Sequence, residues 1–300
     1  MQRLFSYGGL VLAVLVFLGA SLRPAAAQIT FPSAGPVSAG NVIVRPEIGY
    51  TNETGGVQNI YEENVVLYGA SPDLAFILEN KSLVANSGNV FVNGKQSQQW
   101  AVGFGDTVID TRYNLYELDG VGFTFRIAPY LGIDVPTGMD NTNDALPRPL
   151  QPASGEWGTR EALTTSYQTL RWNAQGLIGF QDYASAAGYR QGSSLLADAA
   201  VHVLLWPQDL DREVPAELFA SLETNYTLQA VDRLYGQTIA GTGGQLWLID
   251  PGLIYSTPIW GAALTGLLPI LQQYRAPGAS HYNYGLLFTF RWNFFTSFHW

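Results

Sequence analysis

The chain has 300 residues, a formal net charge of -9, no cysteine, and 47% hydrophobic, 13% aromatic and only 13% charged residues. The acidic balance argues against a nucleic-acid partner, and the absence of thiols excludes cysteine catalysis, thiolate metal sites and disulfides. Typical soluble chains are about 25% charged, so something other than water must face much of this surface; yet no later segment reaches the roughly 18 uninterrupted apolar residues of a spanning helix.

In chain order, residues 1–27 read as a signal peptide. Arg3 gives a positive start, Leu10 to Leu18 an uncharged apolar run, and Ala25, Ala26 and Ala27 a small-residue cleavage site before Gln28. Removal takes Arg3 and Arg23 with it, so the mature charge moves from -9 to -11. Residues 28–40, with Pro32, Gly35 and Pro36, read as a periplasmic lead-in or a plug segment that folds into the lumen.

From residue 41 onward the dominant signal is a period of two. Val121, Phe123, Phe125, Ile127, Leu131 and Ile133 alternate with Gly122, Thr124, Arg126, Ala128, Gly132 and Asp134, the pattern of a strand with one apolar face. Alternating runs predict twelve strands, at 41–51, 59–69, 73–84, 99–115, 120–135, 156–169, 173–182, 193–206, 215–229, 244–257, 260–273 and 282–300. The even count suits a bacterial barrel, as does the alternation of short and long connections. Joints at 70–72, 116–119, 170–172 and 258–259 are short, whereas 85–98, 136–155, 183–192, 230–243 and 274–281 are long and rich in Gly, Asn, Pro or Ser.

If the apolar parity faces lipid, the opposite parity lines the lumen. Arg45, Glu47, Glu79, Lys81, Asp106, Asp110, Arg112, Arg126, Asp134, Asp198, His202, Glu217, Glu223, Asp250 and Arg291 all fall there. Such segregation follows from the cost of a cation on the lipid face, roughly 2–4 kcal/mol at the midplane. Asp106, Asp110 and Arg112 on one strand and Arg126 and Asp134 on the next predict an ionic ladder between those two strands. Trp100, Tyr113, Tyr116, Trp172, Trp206, Tyr255, Trp260 and Tyr282 sit near strand ends, as interfacial girdles require. At the C-terminus, Phe290, Trp292, Phe294, Phe298 and Trp300 share one parity and resemble the assembly signal of outer-membrane barrels.

Several ordered segments resemble the outer-membrane family described as the MetA-pathway of phenol degradation. They are Tyr68-Gly69 before a polar turn and Leu74 to Leu78; Gly103-Phe104-Gly105-Asp106; Val135-Pro136-Thr137-Gly138; Asp250-Pro251-Gly252-Leu253-Ile254-Tyr255; and Leu268-Pro269-Ile270-Leu271-Gln272. The resemblance implies a barrel that takes part in uptake of hydrophobic or aromatic compounds.

Chemistry finds little purchase. His202, His281 and His299 are too scattered for a metal shell. Ser280 and His281 are adjacent, and successive strand residues point to opposite faces, which opposes a hydrolase triad with Asn283. The acidic loop Asp140 to Asp144 has calcium-ligand types without the Gly and terminal Glu of a known loop. The sequence therefore predicts an all-β, transmembrane antiparallel up-and-down barrel over 41–300, not an enzyme, with no cofactor or metal. Its expected partners are outer-membrane lipid, the barrel-assembly machinery and a small-molecule permeant. The alternatives are a structural or loop-mediated binding barrel without transport, or an outer-membrane lipid hydrolase.

Overall fold

The structure, a computed structural model, describes residues 30, 32–35, 37–92, 95–146, 148–210, 215–239, 242–274 and 281–295. Its strands are β1 (Asn41–Glu53), β2 (Gln58–Gly69), β3 (Leu74–Val92), β4 (Lys95–Gly103), β5 (Thr107–Tyr113), β6 (Tyr116–Gly120), β7 (Phe123–Val135), β8 (Gly158–Thr169), β9 (Trp172–Tyr183), β10 (Tyr189–Arg190), β11 (Ser194–Trp206), β12 (Glu217–Gln229), β13 (Arg233–Leu234), β14 (Gln237–Thr238), β15 (Gly244–Ser256), β16 (Trp260–Tyr274) and β17 (Tyr282–Phe295). Twelve of them close into an antiparallel barrel in the order β1, β17, β16, β15, β12, β11, β9, β8, β7, β5, β3, β2, with β2 returning to β1. Closure leaves no wall strand with a free edge, which is the condition for a sheet to span lipid.

Outside the ring, β4 pairs with the distal half of β3, β6 pairs with the near end of β7, and β10, β13 and β14 form a small sheet among the long loops. The short-turn end is built by local side-chain chemistry. At two turns a threonine accepts hydrogen bonds from the backbone of the tryptophan three residues on, Thr169 from Trp172 N at 3.1 Å and Thr257 from Trp260 N at 2.9 Å. Each hydroxyl also donates to that tryptophan's carbonyl oxygen, at 2.8 and 2.7 Å. This side-chain turn delivers Trp172 and Trp260 to the outer rim, where both are exposed.

The outer face is apolar and the inner face is mixed. Along β17, Leu286, Phe288, Trp292 and Phe294 are exposed while Leu287, Thr289 and Arg291 are buried. Along β15, Trp247, Leu253 and Tyr255 look out, and Asp250 and Ile254 are fully buried. The inner wall also carries apolar clusters, Val65 with Ile77 and Tyr130, and Leu204 with Phe219, Ile254 and Leu287. A bilayer is the solvent that such an outer face requires. Leu264, 57% exposed at the middle of β16, gives the test: Leu264→Arg is expected to lower unfolding stability by about 2–4 kcal/mol. Urea titration of protein in lipid vesicles measures it, and an unshifted midpoint contradicts a lipid-facing position.

Four expectations need correction. The segment 85–98, expected as a loop, continues β3 and begins β4; beyond the membrane a strand needs no apolar face, so its Asn, Ser and Gly content misled. The strand 99–115 is cut at Phe104–Asp106, where Gly105 N donates to Lys81 O at 2.8 Å and a Cβ on Gly105 would approach Lys81 to 2.7 Å. The joint expected at 116–119 is β6 itself, and the chain turns at Val121 and Gly122, the latter with φ of 81°. Tyr282, expected in an outer girdle, points inward at 8% exposure, because a register shift opposite Asn52 and Glu53 moves one side chain to the other face. The other seven girdle aromatics are exposed. Phe298 and Trp300 lie outside the described residues.

Candidate functional site

The site is the barrel interior. None of the fifteen inward-parity residues is exposed, and Asp110, His202, Glu223 and Asp250 are buried completely or nearly so. The ladder expected between β5 and β7 does not form, because opposite Asp110 stands Gly132 and opposite Arg112 stands Tyr130. Asp110 instead packs against the bare Gly132 backbone and accepts from the Tyr130 hydroxyl at 3.0 Å. Asp134 turns to Arg160 on β8, with Nε to Oδ2 at 3.0 Å and Nη2 to Oδ1 at 2.8 Å, and the same guanidinium reaches Glu79 on β3 at 3.2 Å. One fork of donors thus ties β8 and β7 to β3, a geometry that suits arginine's planar head.

Other expected residues pair locally. Arg45 meets Glu47 at 2.6 Å, Arg126 meets Glu117 at 2.9 Å, and Arg291 donates to Ser256 Oγ at 3.0 Å. Lys81 lies 5.6 Å from the Tyr61 ring centroid. Asp198 and Glu217 form no ion pair among the described residues. Asp106 serves the wall-to-loop junction rather than the lumen: it accepts from Gly138 N, Ser154 N, Ser154 Oγ and Gly155 N at 2.9–3.2 Å, so one carboxylate clasps both ends of the long loop.

The lead-in enters the barrel. Thr30 N donates to Glu223 Oε2 at 2.9 Å and the Thr30 hydroxyl donates to the same oxygen. Arg112 Nη1 donates to Ser33 O at 2.6 Å, and Ala34 and Val37 are 1% and 4% exposed. Beside this segment remains a cavity of roughly 370 Å³. Its apolar side is Leu177, Leu196, Leu248, Leu267 and Leu287; its ionic side includes Arg45, Glu63, Glu79, Arg160 and Asp198.

Above the cavity the long loops knit together. Gln151 accepts from Thr142 N and donates to Asn143 O and Leu146 O, and Asp140 is paired to Arg148 at 2.8 Å rather than standing ready for a cation. Glu156, fully buried, accepts from Gln191 N. Burial pushes its carboxyl up to about 7, against the Gln191 amide and Arg148, which hold it down. Because the folded carboxyl binds its proton more tightly than the free one at 4.5, loop docking loses stability as pH rises from about 4.5 through about 7. Limited proteolysis of the 184–193 loop is expected to be faster at pH 8 than at pH 5, and Glu156→Gln is expected to flatten that difference; a wild-type rate independent of pH contradicts the assignment.

Ser280 lies outside the described residues, and His281 is engaged through its backbone with Thr54. Sequence reasoning missed Arg160, Glu63, Thr30 and Asn225. Arg160 was available from parity, since it sits two residues beyond Gly158 on the inward face of β8.

The family model described as MetA-pathway of phenol degradation matches residues 35–266. The chain belongs to that family. Its fold is similar to a solved outer membrane channel from Pseudomonas putida F1, at TM-score 0.59 and 13% identity, covering 89% of this chain and 97% of that one. CdiB from Escherichia coli is more distant, at TM-score 0.41 and 9% identity over 84% of this chain and 63% of that one. No curated protein matches the chain. Within the family's matched region fall every wall strand except the second half of β16 and all of β17, and all the expected inward charges except Arg291.

Proposed function

We propose that the chain is an outer-membrane channel for small compounds with apolar or aromatic bodies, with the inward residues other than Asp106 lining its route. The long loops then face outside and the short turns the periplasm. The observation that carries the reading is the amphipathic cavity in the interior of a closed barrel, leucines on one side and ionisable groups on the other. Family membership and the channel-like fold support it. Nucleic acid is no partner, lipid solvates the outer wall, and the barrel-assembly machinery reads the C-terminal aromatics.

Among those fourteen residues eight are carboxylates and five are cations, so the route favours cations over anions. Purified mature protein in a planar bilayer under a salt gradient is expected to show a cation-selective reversal potential, and proteoliposomes are expected to admit small aromatic solutes. Anion selectivity contradicts the lining. The lead-in threaded through the lumen favours a second reading, a closed barrel that binds without transport; it holds if neither current nor flux appears.

A further inference from the structure

We infer that Glu223, Asn225 and Asp250 form a recognition site for the hydrogen-bond-donor head of the permeant, an alcohol, phenol or amine, and that Thr30 occupies this site as a built-in surrogate. The inference rests on the channel reading above and specifies which solutes the channel takes.

The three residues come from two adjacent strands in register, Glu223 opposite Asp250 on β12 and β15, with His202 contributed by β11. Glu223 is 0% exposed, its Oε1 held by His202 Nε2 at 3.0 Å and by the Ser221 hydroxyl at 3.2 Å. Those partners fix the carboxylate, and its other oxygen is presented to Thr30, taking both the amide and the hydroxyl. Asn225 Nδ2 donates to Thr30 Oγ1 at 3.1 Å and to Asp250 Oδ2. Asp250 Oδ1, in a side chain that is 0% exposed, has no hydrogen-bond partner among the described residues. The cluster therefore offers a donor head a carboxylate oxygen, an amide and a spare carboxylate oxygen.

What Thr30 presents is a hydroxyl and an N–H, the chemistry that a non-anionic donor head presents. Thr30 and Asn225 also border the cavity whose other side is Leu196, Leu248, Leu267 and Leu287. A head on Glu223 consequently places its apolar body against leucine. An apolar cavity of about 150 Å³ accommodates benzene, so roughly 370 Å³ holds a substituted ring. A carboxylate head meets Glu223, Asp250 and Asp198 and is refused on charge. Because solute and Thr30 want the same oxygen, a solute that binds releases the innermost anchor of residues 30–37, and recognition and opening become one exchange.

The test is isothermal titration of the folded mature protein in detergent with benzyl alcohol, benzylamine and benzoate, each against protein-free micelles. Alcohol and amine are expected to bind at least about tenfold more tightly than benzoate. Thr30→Val removes the competing hydroxyl, leaving the backbone amide, and is expected to tighten alcohol binding severalfold, whereas Glu223→Gln is expected to weaken amine binding by about tenfold or more while the barrel still shifts on a gel when boiled. These opposite directions are not what a loosened structure produces. Benzoate binding as tightly as the alcohol, or Thr30→Val leaving the affinity unchanged, overturns the inference. Ion current is recorded in parallel: current without head-group discrimination defeats this inference alone, and no current from either the intact chain or one lacking residues 28–37 defeats the channel reading itself.

Discussion

A chain lacking residues 28–37 is expected to conduct severalfold more current across a planar bilayer than the intact mature chain. The described residues of the segment form no ladder; they are held by Thr30 on Glu223, Asn225 on Thr30 and Arg112 on Ser33, and they bury Ala34 and Val37 inside the ring. Every hydrogen-bonded seam of the wall lies elsewhere, so deletion removes an obstruction without removing a strand. Glu223 keeps His202 and Ser221, and Arg112 is left in a water-filled lumen, where a charge is not stranded. Arg112→Ala releases only the Ser33 anchor and is expected to give an intermediate conductance. Equal currents from intact and shortened chains contradict the segment's role as an obstruction.

Replacing Arg160 by methionine is expected to cost about 3 kcal/mol of stability, the low end for breaking a buried pair by removing one partner. The low end applies because the Arg160 side chain is 26% exposed, although Asp134 at 7% and Glu79 at 14% are more enclosed. Without the guanidinium these two carboxylates face each other's field with no cation between them. Arg160→Lys supplies charge without the fork and is expected to recover part of the loss. The double variant Arg160→Met with Asp134→Asn is expected to be more stable than Arg160→Met alone, since it removes one stranded charge. Urea unfolding in lipid vesicles reads all three; an Arg160→Met midpoint equal to wild type contradicts the staple, and a double variant less stable than the single one contradicts its electrostatic origin.

The wall was legible because lipid enforces a strict period of two: β7, β15 and β17 announce themselves by alternate Leu, Ile, Phe and Trp. Where the chain leaves that solvent the rule relaxes, and β3 and β4 run on through Asn86, Ser87 and Asn89 as strand with loop-like composition. Parity is also fragile to a single extra residue, as the inward turn of Tyr282 shows. The charged residues of the interior could be assigned to a face, but their partners depend on register and on strands two apart, which no local pattern encodes. Arg160 escaped because Glu161 beside it is also charged, leaving no contrast between faces. Thr30 and Ser33 act through backbone atoms and a lone hydroxyl in an aperiodic stretch, a signal the sequence scarcely carries.

A chain without cysteine accepts single nitroxide labels cleanly, and their collision with relaxants in lipid vesicles reads the two faces directly. Labels at Leu253, Leu264 and Leu286 are predicted to collide with oxygen dissolved in the bilayer and to be shielded from a water-soluble nickel chelate, while a label at Asp198 shows the reverse. Nickel reaching the three leucine positions, with oxygen favouring Asp198, would turn the barrel inside out and contradict the account.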